Sequence, residues 1–306
     1  MTGKDTDWFD DWFAVQRIDE ATCAIREPNY WEDVVSFLLL GTERALLFDS
    51  GSGRRDIWPL IRSLTDLPVT VTCSHPHFDH IGNHHRFGHV ALFGHPRMGA
   101  RVRNGMYRPS FIQTLKPFCH RFPVTEWWAD GQTVDLGGRE LTVVHVPGHM
   151  VESVALLDRE RGQLFLGDFL YNESLLAVDL AAYQDSVRRL LDLTSGRETL
   201  LGAHGPPVMP FERLEALEAV LADTLAGRAR PRFGMSLGTP FRRVRSRGIE
   251  LWWLCFGRWG LLFPWLLVFA ALLLVAIVIG ALSSWPFALL SFLAGYGLLM
   301  ALSRRL

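Results

Sequence analysis

From Trp259 to Ser303 the chain runs for 45 residues without one charged side chain. A helix in such a run cannot present the polar face that water demands, so the sequence predicts membrane-embedded structure there. The run is broken at Ser283-Ser284-Trp285-Pro286, which predicts helices near 261–282 and 287–303. At ~1.5 Å per residue these are about 33 Å and 25 Å long against a hydrocarbon core of ~30 Å, one full span and one short span. Arg242, Arg243, Arg245 and Arg247 precede the first helix, Arg304 and Arg305 follow the second, and the connecting turn is uncharged. The positive-inside rule therefore places both ends on the cytoplasmic side, and a re-entrant second helix would leave the C-terminus there too. Trp252, Trp253, Phe256 and Trp259 are expected to form an interfacial belt around Arg258.

The rest of the chain has the mixed composition of a water-soluble domain. With 31 Lys+Arg against 32 Asp+Glu among 306 residues, no global charge draws it to nucleic acid. The start, Met1-Thr2-Gly3-Lys4, leads to Asp10-Asp11 with no basic region or apolar run, so no secretory signal is expected and the domain is placed in the cytosol. Cys23, Cys73, Cys119 and Cys255 show no C-x-x-C spacing, which fits a reducing compartment, and Cys73 is expected to pack in a strand. Between 228 and 247 stand seven arginines, no acidic residue and several Pro and Gly. That stretch reads as a linker lying on anionic headgroups, or as a solvated basic tether. Three parts result: a domain over 1–222, an Arg-rich linker and interfacial segment over 223–258, and a transmembrane helical hairpin over 259–306.

Within the domain, apolar runs predict strands at 34–40, 45–48, 69–73, 90–93, 133–135, 140–146, 153–158 and 164–167. Helices are predicted over 54–66, 96–117, 180–195 and 209–225. Two β-rich halves, each with helices, suggest an α+β sheet-on-sheet sandwich flanked by helices, with functional loops on one edge.

The strand at 69–73 delivers His75, His77, Asp79 and His80 in an H-x-H-x-D-H pattern. On a loop, His75 and His77 can converge on one ion while Asp79 and His80 turn toward a second, and Pro76 stiffens the span between the first two. Four such side chains in six residues are costly to hold together unless paired or metal-bound. His149, Asp168 and His204 stand at the ends of later strands. Singly, each of these three would more often be a structural loop residue than a ligand.

In order and spacing, Asp49, the His75 to His80 motif, His149, Asp168 and His204 resemble the metallo-β-lactamase superfamily over nearly all of residues 13–222. The resemblance implies the αββα sandwich of that family and two zinc ions. His75, His77 and His149 would hold one, Asp79, His80 and His204 the other, with Asp168 bridging and Asp49 orienting a ligand histidine. It further implies a zinc-dependent hydrolase in which a water between the metals serves as nucleophile and Asp79 handles a proton, with no Ser or Cys nucleophile.

The lines Asp130-Gly131 to Leu136-Gly137, Leu141-Thr142-Val143 to Pro147-Gly148-His149, and Gly167-Asp168-Phe169-Leu170-Tyr171 look closest to glyoxalase II-like thioesterases, in particular those acting on long-chain acyl-CoA. A membrane anchor favours such lipid-like substrates, since it concentrates the enzyme where they partition. Met98, Met106, Tyr107, Phe111, Phe118, Trp127 and Trp128, with Arg101, Arg103, Arg108, Lys116 and Arg121, suggest an apolar acyl groove beside cations for CoA phosphates. A helical flap with a packed face and a solvated basic face is the competing reading. Tyr171 is placed either packed or hydrogen-bonded to a developing oxyanion. A phospholipid phosphodiesterase or lactonase using the same metal pair, and a non-catalytic membrane module, are the alternative functions.

Overall fold

In the computed structural model, which describes residues 6–31, 33–110, 120–236 and 239–258 with Leu274 alone beyond them, alternation along the strands sorts the apolar side chains into three buried layers. The first half of the chain gives β1 (Thr6–Trp8), β2 (Ala14–Asp19), β3 (Thr22–Glu27), β4 (Val34–Leu40), β5 (Ala45–Phe48), β6 (Val69–Thr72) and β7 (His89–Phe93). A small three-stranded sheet of β8 (Val102–Arg103), β9 (Met106–Tyr107) and β10 (Phe122–Pro123) intervenes before β11 (Glu126–Trp128). Strands β1 to β5 are antiparallel neighbours, and β6, β7 and β11 then add in parallel.

The second sheet has the order β12 (Thr133–Asp135), β13 (Glu140–His145), β14 (Val154–Asp158), β15 (Gln163–Gly167), β17 (Thr199–Gly202) and β18 (Val208–Met209). Phe37, Leu39, Leu46 and Phe48 of the first sheet meet Val143, Leu156, Phe165 and Leu201 of the second in the central layer. Phe37 and Phe165 make an edge-to-face pair with centroids 5.3 Å apart, a geometry that adds ~0.5–1.5 kcal/mol beyond area burial. Leu38 and Leu47, one residue out of phase, face the opposite side and pack beneath α1 (Trp58–Leu64). Beyond the second sheet, α3 (Leu180–Leu193) and α4 (Glu212–Leu225) bury Tyr183, Val187, Leu214 and Leu217 against Val144, Leu157 and Leu164. Asp179 starts α3 by accepting hydrogen bonds from the backbone of Ala181 and Ala182. The layers are thus α, β, β and α, as the sequence predicts.

Three expectations are corrected. First, the Arg-rich stretch is no irregular linker: α4 runs through the 222/223 boundary, and β19 (Arg232–Ser236), β20 (Thr239–Ser246) and β21 (Ile249–Arg258) form a sheet with β16 (Ser174–Ala177). Arg247 and Gly248, both at positive φ, make the two-residue turn that twisted hairpins favour, and Pro240 lies one residue outside the β20–β21 ladder, where no N–H is needed. Val244, Ile249 and Leu251 join the outer apolar layer. Second, Trp252 and Trp253 sit on a strand rather than on an irregular lead-in to the bilayer: β21 half-buries Trp252 against Phe241 and Trp253 against that same layer. Third, the helix over 96–117 is a single turn, α2 (Pro96–Gly99), followed by β8 and β9, while 111–119 lie outside the described residues. Met98, Tyr107 and Trp128 are buried core rather than groove lining.

No helix among the described residues is long and apolar enough to cross a membrane, and, Leu274 apart, the two helices expected at 261–282 and 287–303 lie outside them.

The sandwich is clamped at the end away from the metal motif by Arg139, only 3% exposed. Its guanidinium donates to Asp158 Oδ2 (2.8 Å), Ala21 O (2.6 Å), Leu40 O (3.3 Å) and Thr22 Oγ1 (2.9 Å), joining the two sheets. Removing one partner of such a buried pair strands the other charge and the carbonyls. Arg139→Ala is expected to lower unfolding free energy by about 3–5 kcal/mol in chemical denaturation, and a loss below ~1 kcal/mol would show the clamp to be dispensable.

Candidate metal centre

The ends of β5, β6, β15 and β17, with the loop after β13, all meet at one edge of the sandwich. Asp49 follows β5 in a left-handed conformation (φ 65°) that aims its carboxylate back at the loop after β6. It accepts from Ser74 N (2.6 Å), Ser74 Oγ (2.9 Å) and His80 Nδ1 (2.9 Å), so one buried carboxylate holds both ends of the H-x-H-x-D-H segment. Two glycines let the neighbouring strand ends close in. A Cβ on Gly167 would lie 2.3 Å from Ser74 Cβ, and one on Gly148 would lie 2.5 Å from the Tyr183 ring.

All seven residues singled out as ligands converge in two groups: His75, His77, His149 and Asp168, and Asp79, His80 and His204. In each, the donor atoms lie within 4.8 Å of one another. Asp168 faces both. Its Oδ2 is 3.7 Å from His75 Nε2 and 3.6 Å from His149 Nε2, while its Oδ1 is 3.3 Å from His80 Nε2 and 3.0 Å from His204 Nε2.

The hydrogen bonds around the rings fix which nitrogen turns inward. His80 Nδ1 donates to Asp49, His149 Nδ1 donates to Leu176 O (2.9 Å), and His75 Nδ1 lies 3.0 Å from Ser74 Oγ, whose own proton goes to Asp49. The Nε2 atoms of all three therefore point at the shared space, the orientation that outer partners impose on metal-ligating histidines. His75 Nε2 is buried without a hydrogen-bond partner, and Asp168 Oδ1 lies between His80 and His204 at 3.3 and 3.0 Å. Leaving a buried ring nitrogen unpaired is costly, and a set of imidazoles and carboxylates suits a divalent ion such as zinc, so the residues fit metal ions.

Electrostatics divides the histidines. Burial holds His75 and His149 below the usual imidazole range and His77 at about 4, so all three are neutral at pH 7. Burial opposes charge on His204 as well, yet Asp168 overcomes it and lifts that pKa to about 9. His80 is likewise raised well above 6.5, by Asp168, Asp49 and Asp79 against its burial. Asp168 is held well below its ordinary value despite burial, by His204, His80 and His75.

The remaining histidines lie outside both groups. His84 is buried with Nδ1 2.7 Å from Ser50 Oγ, and His85 packs its ring on His120 at 4.3 Å. Tyr171 donates its hydroxyl proton to Ser174 O (2.7 Å), which places it in packing rather than at an oxyanion. Sequence reasoning missed Glu27. This buried carboxylate accepts from Ser52 N, Ser52 Oγ and Trp12 Nε1 and holds the Gly51–Gly53 turn beside the ligand loop. Nothing in its local sequence marks it, since the contacts span 15 and 25 residues.

Two measurements follow from this geometry. Zinc titrated into metal-free protein at pH 7 is expected to release about two protons, from His80 and His204, because a ligand imidazole must be neutral and only these two are protonated there. Calorimetric enthalpies independent of buffer ionisation would refute that assignment. Asp49→Asn, which tolerates positive φ but lacks the charge, should retain the fold and weaken zinc binding by about 10–100-fold in a chelator competition.

A family model described as the metallo-beta-lactamase superfamily matches residues 29–208. The chain is 28% identical over 213 residues to the acyl-coenzyme A thioesterase MBLAC2 of Gallus gallus, covering 60% of this chain and 76% of that protein. It is also 28% identical over 215 residues to the protein of the same name from Homo sapiens, covering 60% and 77%. Among solved structures it is similar to a metallo-beta-lactamase family protein from Thermus thermophilus, with a TM-score of 0.55 and 20% identity over 71% of this chain and 85% of that one. A metallo-beta-lactamase from Pontibacter korlensis gives a TM-score of 0.54 and 18% identity over 69% and 99%. At those identities the structural likeness speaks for the fold alone.

Proposed function

The chain belongs to the metallo-β-lactamase superfamily and is a metal-dependent hydrolase, and from that premise we propose that it uses two zinc ions to cleave long-chain acyl-CoA thioesters while anchored in a membrane. The observation that carries the dinuclear reading is Asp168, with one oxygen toward each donor group. His75, His77 and His149 would hold one ion and Asp79, His80 and His204 the other, with Asp168 shared between the two groups.

Zinc bound there supplies Lewis acidity, lowering the pKa of water to near neutrality and polarising the thioester carbonyl. The chain's own residues do the rest. Asp168 fixes the separation of the two groups, and Asp79, nearly buried beside His80 and His204, accepts the proton of the attacking water and can return it to the departing thiolate. A covalent route through Cys73 is unfavourable, because burial raises its thiol well above the ordinary value and packs it in the core.

The thioester reading rests on the acyl-coenzyme A thioesterases that this chain resembles. The preference for long chains rests on the 45 uncharged residues from Trp259, which would seat the enzyme where such substrates partition. The cytoplasmic side for the hydrolase domain rests on the arginines of both flanks.

Thiol release by detergent-purified, zinc-loaded protein from a series of acyl-CoA esters is expected to rise with chain length. Asp79→Ala and His77→Ala should each lower it on the order of 10²- to 10⁴-fold. No release above those variants at any length would remove acyl-CoA as the substrate class while leaving the zinc titration above intact.

A further inference from the structure

Between the end of α4 and the β19–β21 hairpins lies a cavity of about 580 Å³ lined by Arg228, Arg230, Arg232, Arg243 and Arg245, with Asp223 and Glu250 as its carboxylates. It shares no residue with the metal centre. Arg228 is paired with Asp223 at 2.8 Å, and Arg243 lies 3.8 Å from Glu250 and over the Trp252 ring. Among the described residues Arg230 and Arg232 have no carboxylate within ion-pair distance, and Arg245 stands across the β20–β21 ladder from Glu250, whose carboxylate lies toward Arg243. The register of β19 and β20 sets Arg232 directly opposite Arg243. Like charges facing each other across a ladder destabilise a sheet, and an anion between them reverses the sign of that interaction.

Two further observations identify the anion. On β19, the edge strand, Phe233 is 68% and Met235 49% exposed; they alternate with Arg232 and so stand on the other face of the strand, where Arg242 lies across from Phe233. A free edge with basic side chains on one face and exposed apolar ones, beside Arg242, on the other suits a strand lying edge-on in the headgroup layer. In addition, β21 ends at Arg258, and the next residue begins the 45-residue uncharged run.

We propose that this cavity binds the phosphate group of an anionic phospholipid headgroup, with β19 lying at the bilayer surface. The site rests on the membrane-anchored reading above and deepens it. Strand β16 pairs with β21, and Leu176 of β16 accepts the hydrogen bond of His149, so a headgroup held here also sets the height of the metal centre over the leaflet.

The test uses the full chain in neutral maltoside micelles, titrated with water-soluble dihexanoyl phosphatidylglycerol. Saturable binding is expected, weakened about a hundredfold when Arg230→Ser, Arg232→Ser and Arg245→Ser are combined. The three side chains are exposed, so circular dichroism should be unchanged. Equal affinity in both proteins would overturn the proposal. Binding of inorganic phosphate or adenosine 3′,5′-bisphosphate as tight as that of the lipid would overturn it too, reassigning the cavity to a free anion or to the substrate's nucleotide. Flotation with neutral phosphatidylcholine vesicles separates the two levels. A chain that floats but binds no headgroup loses this site alone, whereas a chain that does not float loses the anchored reading and the site with it.

Discussion

Seven ionisable side chains meet in a space that water scarcely enters, and the fold around them makes that tolerable. Asp168 stays ionised in its buried position only because His204, His80 and His75 surround it, and His80 and His204 carry protons only because carboxylates face them. The cluster is thus a set of mutually compensating charges, in which His75 Nε2 is left without a hydrogen-bond partner. Metal bound by such a donor set would take over that compensation, which would couple its loading to proton loss and to the stability of the whole edge.

Position matters as much as charge. Asp49 accepts three hydrogen bonds from the ligand loop, and Leu176 O orients His149 from another sheet, so the donor geometry depends on strand ends far apart in sequence. Arg139 secures the opposite end of the sandwich through carbonyls of the first sheet and a carboxylate of the second. Between these fixed ends the central layer of Phe37, Phe48 and Phe165 keeps the sheets in register.

Much of this was legible in the sequence because it is local. Apolar runs marked β4, β5, β13 and β15, and the helical periodicity of α3 and α4 fell within a few residues of the observed ends. Strands β1 to β3 escaped notice because Arg17, Asp19, Thr22 and Arg26 interrupt their apolar pattern, and Asp19 and Arg26 find their ion-pair partners only once the chain has folded. The Arg-rich stretch misled for the opposite reason. Its prolines and glycines look like breakers, yet Pro240 and Gly248 occupy ladder-end and turn positions, and its apolar residues find a partner only in β16, some 75 residues earlier.

The sequence by itself determined the chemistry: which side chains carry imidazole and carboxylate, their order along the chain, the near-neutral overall charge and the uncharged C-terminal run. Tertiary structure alone decided that two donor groups share one aspartate, which ring nitrogen of each histidine turns inward, which histidines bear a proton, and that the Arg-rich stretch builds a sheet. The physical reason is range. Residue type and periodicity are set by near neighbours, whereas tautomer, charge state and strand pairing depend on groups that only the folded chain brings within hydrogen-bonding distance.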